Sequence, residues 1–145
     1  MRPVEINFET RTYKKAREII DRLYDTVDVD DEQRDFLKNS VGTVEIPKDQ
    51  SAYYFGVENL DFEEAVASEP FINAIAFSVC LMRVKDGTDI DELKAEIRRS
   101  ANPATWICVD VNPNDVRVES VGDLILLIMA DDSEKYSEAF YALAE

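Results

Sequence analysis

The segment LILLIMA, residues 124–130, is seven apolar residues in a row, bounded by Gly122-Asp123 on one side and Asp131-Asp132-Ser133 on the other. It is far too short to cross a bilayer, which takes about 20 residues. In a chain that is 32% charged it has to be hidden in a core. A short apolar run closed at both ends by turn and capping residues reads as an interior strand. Residues 123–130 are therefore expected at the centre of a sheet, and the rest of the chain must supply that strand's neighbours and cover. Asp131-Asp132-Ser133 then caps a last helix, whose stripe is Tyr136, Ala139, Phe140 and Leu143.

The remaining elements follow from periodicity. Tyr13, Ala16, Ile20, Leu23, Tyr24 and Val27 fall on one face of a helix over residues 12–27. The acidic turn 28–31 interrupts it, and Asp30 or Asp31 caps a short second helix that ends at Asn39-Ser40. Residues 41–46 and 51–57 alternate as strands do and suggest a hairpin, with Pro47-Lys48-Asp49-Gln50 as its turn. Asp61 opens a short acidic helix over 62–67, stopped by Pro70. Residues 74–84 read as a buried strand, with a helix through Ala76 as the alternative. Thr88 or Asp89 caps a helix with Ile90, Leu93 and Ile97 inward. Residues 105–111 and 116–120 are strands.

The 145 residues fit one α+β domain: a helical part over about 10–40 and a sheet-rich part over about 41–145. Hairpins with a single strand-helix-strand unit point to a largely antiparallel sheet with helices packed mainly on one face.

Charge and missing residue types exclude much. Sixteen basic against 31 acidic residues give a net charge of −15, a field that repels nucleic acid and anionic membrane. There is no histidine, which removes imidazole-based triads, the two-histidine zinc helix and an imidazole proton shuttle. The four glycines, Gly42, Gly56, Gly87 and Gly122, are too scattered for a phosphate-cradling loop. No S-x-x-K is present. Cys80 and Cys108 lie in apolar stretches and read as buried thiols, or as a cross-strand pair if their strands are neighbours. No cofactor is expected.

One stretch invites a metal reading. In WICVDVNPND, residues 106–115, Asp110, Asn112 and Asn114 alternate like the opening ligands of a calcium loop. That loop needs glycine at its sixth position and glutamate at its twelfth. Here those places hold Asp115 and Val121. Asn112-Pro113-Asn114-Asp115 is strong turn chemistry instead, with Pro113 presetting the first corner. The acidic run 28–32 fails the same test, with Gln33 and Asn39 at the diagnostic places. Trp106, the only tryptophan, is a candidate aromatic platform for a sugar or peptide, or else a core or sheet-edge anchor. Asp131 and Asp132 sit where a central strand ends, a common place for sites, yet capping accounts for them.

A longer stretch carries a family likeness. YYFGVENLDFEEAVASEPFINAIAFSVCLMRVKDGTDIDELKAEI, then TWICVDV and VGDLILLIMADD, resembles a group of uncharacterised bacterial proteins defined only as a domain of unknown function. Those proteins are commonly exported and lipid-anchored. The resemblance spans residues 53–132 and implies an extracytoplasmic domain behind an N-terminal leader. The chain departs from that pattern: it opens on the polar MRPVE, and its first cysteine is Cys80. The two readings are a processed exported protein and a cytoplasmic member.

The function expected from these features is a non-catalytic surface or extracytoplasmic module that binds a protein, peptide or glycan. Contact with nucleic acid or membrane by the domain itself is not expected. The alternatives are a carboxylate-dependent glycan hydrolase and a self-associating structural subunit.

Overall fold

The computed structural model describes residues 15–72, 75–103 and 111–143. Helix α1 is Ala16–Thr26 and buries Ala16, Ile19, Ile20, Leu23 and Tyr24, the stripe that its spacing predicts. Arg34 closes its C-terminal end, donating to the Tyr24 carbonyl at 2.6 Å and the Val27 carbonyl at 2.9 Å. Two orphan carbonyls of the last turn are thereby satisfied. Helix α2, Asp31–Asn39, starts at Asp30, whose carboxylate accepts from the Gln33 amide at 2.8 Å.

Strand β1, Val41–Glu45, leads through a single 3-10 turn, Lys48–Gln50, into a short helix α3, Ser51–Phe55. A strand was expected over 51–57. Its apparent alternation breaks because Phe55 and Val57 are buried while Tyr53 is exposed. Ser51 is a buried turn organiser: its hydroxyl donates to the Val57 carbonyl at 2.8 Å and accepts from the Leu60 amide at 3.3 Å. Gly56 ends α3 at φ 79°, a left-handed conformation that glycine adopts without strain.

Strand β2, Phe62–Pro70, occupies the segment where an acidic helix was expected. Glutamate and alanine favour a helix in isolation, but here the segment has a strand on each side. It pairs antiparallel with β1 and with β3, Ser78–Val84. Burial of Ala65, Val66, Ala67 and Ser68 between them outweighs local preference. A register shift between Phe62 and Glu64 aims Glu64 at α1, where its carboxylate accepts from the Ala16 amide at 2.7 Å.

Helix α4 is Ile90–Ser100, with Asp89 accepting from the Glu92 amide at 3.1 Å as its cap. Strands β4, Val116–Val121, and β5, Leu124–Met129, form the hairpin around Gly122, and helix α5 is Ser133–Leu143. The sheet order is β1-β2-β3-β5-β4, antiparallel throughout, so β5 is an interior strand between β3 and β4 as its composition demands.

The expected α+β fold around an antiparallel sheet is present, but the helices, expected mainly on one face, cover both, because the sheet is apolar on both sides. Helices α1, α2 and α5 share one face with Val66, Val79, Leu81, Leu126 and Ile128. Helices α3 and α4 cover the other, over Cys80, Met82, Ile125 and Leu127. Alternate residues of β5 thus enter two different cores, which is why the run is apolar at every position. Each fully buried aliphatic side chain there contributes about 1.5–3 kcal/mol.

Candidate functional site

At the end of β5, Ala130 gives way to Asp131-Asp132 and the chain turns into α5. Asp132 makes that turn at φ 57° and its carbonyl accepts from the Lys135 amide at 2.9 Å. Aspartate tolerates the left-handed region better than most residues. The N-terminal end of α2 lies alongside, because Gln33 donates to the hydroxyl of Tyr136 on α5 at 3.1 Å. Between these helix starts and the chain leading into β3 is a cleft of about 800 Å³. That volume is within the range of ligand pockets.

The cleft has an apolar floor and an acidic rim. Phe36, Ile75 and Ala76 contribute accessible apolar surface, backed by the buried rings of Phe77 and Tyr136. Phe77 is the hub of an aromatic group, with ring centroids 5.5 Å from Phe36, 6.0 Å from Tyr136 and 6.3 Å from Tyr24. Edge-on and tilted contacts of this kind each add about 0.5–1.5 kcal/mol to the packing beneath the floor. Burial pushes the Tyr136 hydroxyl above the usual tyrosine range, while the Gln33 bond works the other way. The rim carries the carboxylates of Asp28, Asp30, Glu32, Asp131 and Asp132, all exposed. Among the described residues the one cationic lining residue is Lys135, 3.6 Å from Asp28.

The two acidic runs noted in the sequence, 28–32 and 131–132, are therefore parts of one rim. Neither Asn112 nor Asn114 belongs to it. The Asn112 side chain accepts from the Asn114 amide at 2.9 Å, and its carbonyl accepts from the Asp115 amide at 2.8 Å. Pro113–Asp115 forms a single 3-10 turn, so the turn reading of this stretch holds for its described half. Asp110, Trp106 and Cys108 lie outside the described residues. Among the described residues, no three acidic or cysteine side chains are grouped so as to hold a metal ion. Cys80 is a free thiol, fully buried, and burial pushes its pKa up to about 12.

Sequence reasoning missed the loop between β2 and β3. Phe71 is 73% exposed, Ile72 65% and Ile75 39%, although each is a residue type that normally seeks the core. The signal was available as a run of bulky apolar residues directly after Pro70, beyond the end of a strand. The Phe71 amide donates to the Ser40 carbonyl at 3.1 Å, which places the loop's start at the C-terminal end of α2. Ile75 and Ala76 reach the cleft near the other end of that helix. Phe71 and Ile75 thus lie toward opposite ends of α2, which is roughly 13 Å long.

Compared with protein-family models, curated proteins and solved structures, the chain matches none.

Proposed function

We propose that the protein is a non-catalytic binding module, and that the cleft between α2 and α5 receives a segment of a protein or peptide ligand. The observation that carries this reading is the exposure of Ile75 in the cleft lining, with Phe71 and Ile72 exposed nearer the other end of α2. Large apolar side chains exposed in and beside a concave site are a common mark of an interaction surface. A glycan hydrolase would instead need a carboxyl group enclosed in apolar surroundings to serve as proton donor. All five rim carboxylates are open to solvent, which favours recognition over acid catalysis. The extracytoplasmic placement rests on the family resemblance alone.

The test is selection of a random peptide display library on the purified protein, followed by amide NMR mapping of the enriched peptides. Shifts concentrated on Ile75, Phe77 and Tyr136, and loss of binding in Ile75→Asp, are the expected result. Enriched peptides that bind Ile75→Asp unchanged and shift residues elsewhere would overturn the reading. Release of reducing ends from a glycan panel would favour the hydrolase.

A further inference from the structure

We infer that the segment received by the cleft is rich in lysine and arginine and inserts a bulky apolar side chain between them. This rests on the binding-module reading and adds the chemistry of the partner. Two features of one surface have to be matched at once. The floor, with Phe36, Ala76 and the exposed Ile75, asks for an apolar anchor. The rim sets five exposed carboxylates around it against a single ammonium, and that ammonium, on Lys135, already faces Asp28 at 3.6 Å.

Charge decides between partner classes. An acidic or neutral segment entering the floor would bring its own carboxylates or bare amides against this rim and gain nothing from it. A basic segment relieves the mutual repulsion of the rim carboxylates, and its field is attracted before contact. A second copy of the chain, at net charge −15, would approach against the same field. The occupant is therefore another protein's basic segment. The rim sets orientation and on-rate, while the apolar anchor sets residence time.

The experiment is fluorescence polarisation with three short synthetic peptides: a central Leu-Phe pair among lysines, the same pair among glutamates, and the lysine peptide with Ser-Ser at its centre. The protein is compared with Ile75→Asp and with the double variant Asp131→Asn/Asp132→Asn. The Lys/Leu-Phe peptide is expected to bind saturably and to lose affinity when NaCl rises from about 50 to about 300 mM. Its affinity should fall about fivefold in the double asparagine variant, as expected for loss of two exposed pairs. The other two peptides should bind more weakly. Equal binding of the glutamate peptide, still abolished by Ile75→Asp, overturns the basic partner and leaves the module reading standing. Equal binding of the Ser-Ser peptide overturns the anchor and reduces the site to an acidic field. Sedimentation showing self-association that Ile75→Asp abolishes would make a second copy the occupant instead. Failure of every peptide to bind in a cleft-dependent way removes both this inference and the reading beneath it.

Discussion

The side-chain amide of Gln33 donates to the hydroxyl of Tyr136 at 3.1 Å, joining residues 103 positions apart in the chain. That bond ties the start of α2 to the start of α5 and so sets the width of the cleft between them. Tyr136 is 1% exposed, and its ring also meets Phe77 edge-on. Tyr136→Phe keeps the ring contact and removes only the bond. We predict a loss of about 1 kcal/mol in the urea unfolding free energy, the usual net worth of one such bond. The same variant should broaden or shift the amide signals of Gln33 and Phe36 in NMR spectra. An unchanged midpoint with unchanged spectra would show that the bond does not hold the two helices.

A second bond, wholly inside the core, couples a helix to the sheet. The Tyr24 hydroxyl donates to the Ser68 hydroxyl at 2.6 Å, with Ser68 completely buried on β2. Burial raises the Tyr24 pKa well above the usual tyrosine range, so the hydroxyl stays protonated throughout the ordinary pH range. Tyr24→Phe and Ser68→Ala should each cost about 1–3 kcal/mol, because each strands a buried polar partner. The double variant should cost clearly less than the sum of the two. A double-mutant cycle by denaturant unfolding measures that coupling; strict additivity would mean the two hydroxyls do not depend on each other.

Two glycines with similar backbones should respond very differently to alanine. Gly56 has φ 79°, and a Cβ placed there would lie 2.1 Å from the Ser100 carbonyl oxygen at the end of α4. The clash is with backbone, which cannot swing aside. Gly87 has φ 86° but open space around a Cβ. Gly87→Ala should cost about 1 kcal/mol from conformation alone, and Gly56→Ala about 3 kcal/mol or more. Thermal melts of the two variants side by side make the comparison, and equal costs would remove the packing argument.

What could be read from the sequence was whatever is decided locally. Residues 124–130 are apolar at every position because both faces of β5 are covered, and no neighbour is needed to recognise that. Asp30 and Asp89 act as helix caps through bonds that span three residues. The errors came where distant partners decide. Residues 62–67 have helix-forming composition, and only pairing with β1 and β3 makes them a strand. Residues 51–55 alternate by accident and are turned into a helix by Ser51 and Gly56. The cleft was illegible for the same reason, since its two acidic runs are about a hundred residues apart and each is explained by capping when seen alone. Phe71 and Ile72 stand out in the sequence directly after Pro70, but their exposure is set by the path of the loop, since such residue types usually lie inside.

The pH dependence of stability should carry a signature of Glu69 near the end of β2. This carboxyl is half-buried, and burial raises its pKa above the ordinary value of 4.5, partly opposed by a hydrogen bond with Ser78. A raised pKa in the folded state means that folding favours the protonated form. The stabilising contribution is then complete below the unfolded-state pKa and is lost as pH rises through the higher folded-state value. Above that value the native protein holds an ionised, half-buried carboxylate on β2. Glu69→Gln keeps the size and the ability to bond with Ser78 while removing that charge. The variant should match the wild type below the unfolded-state value, become progressively more stable as pH rises through the raised folded-state value, and level off above it. Comparing the two proteins at each pH cancels the titration of the other acids. A stability difference that stays flat with pH, or that favours the wild type as pH rises, would show that the Ser78 bond outweighs burial and that Glu69 is held as a stable anion.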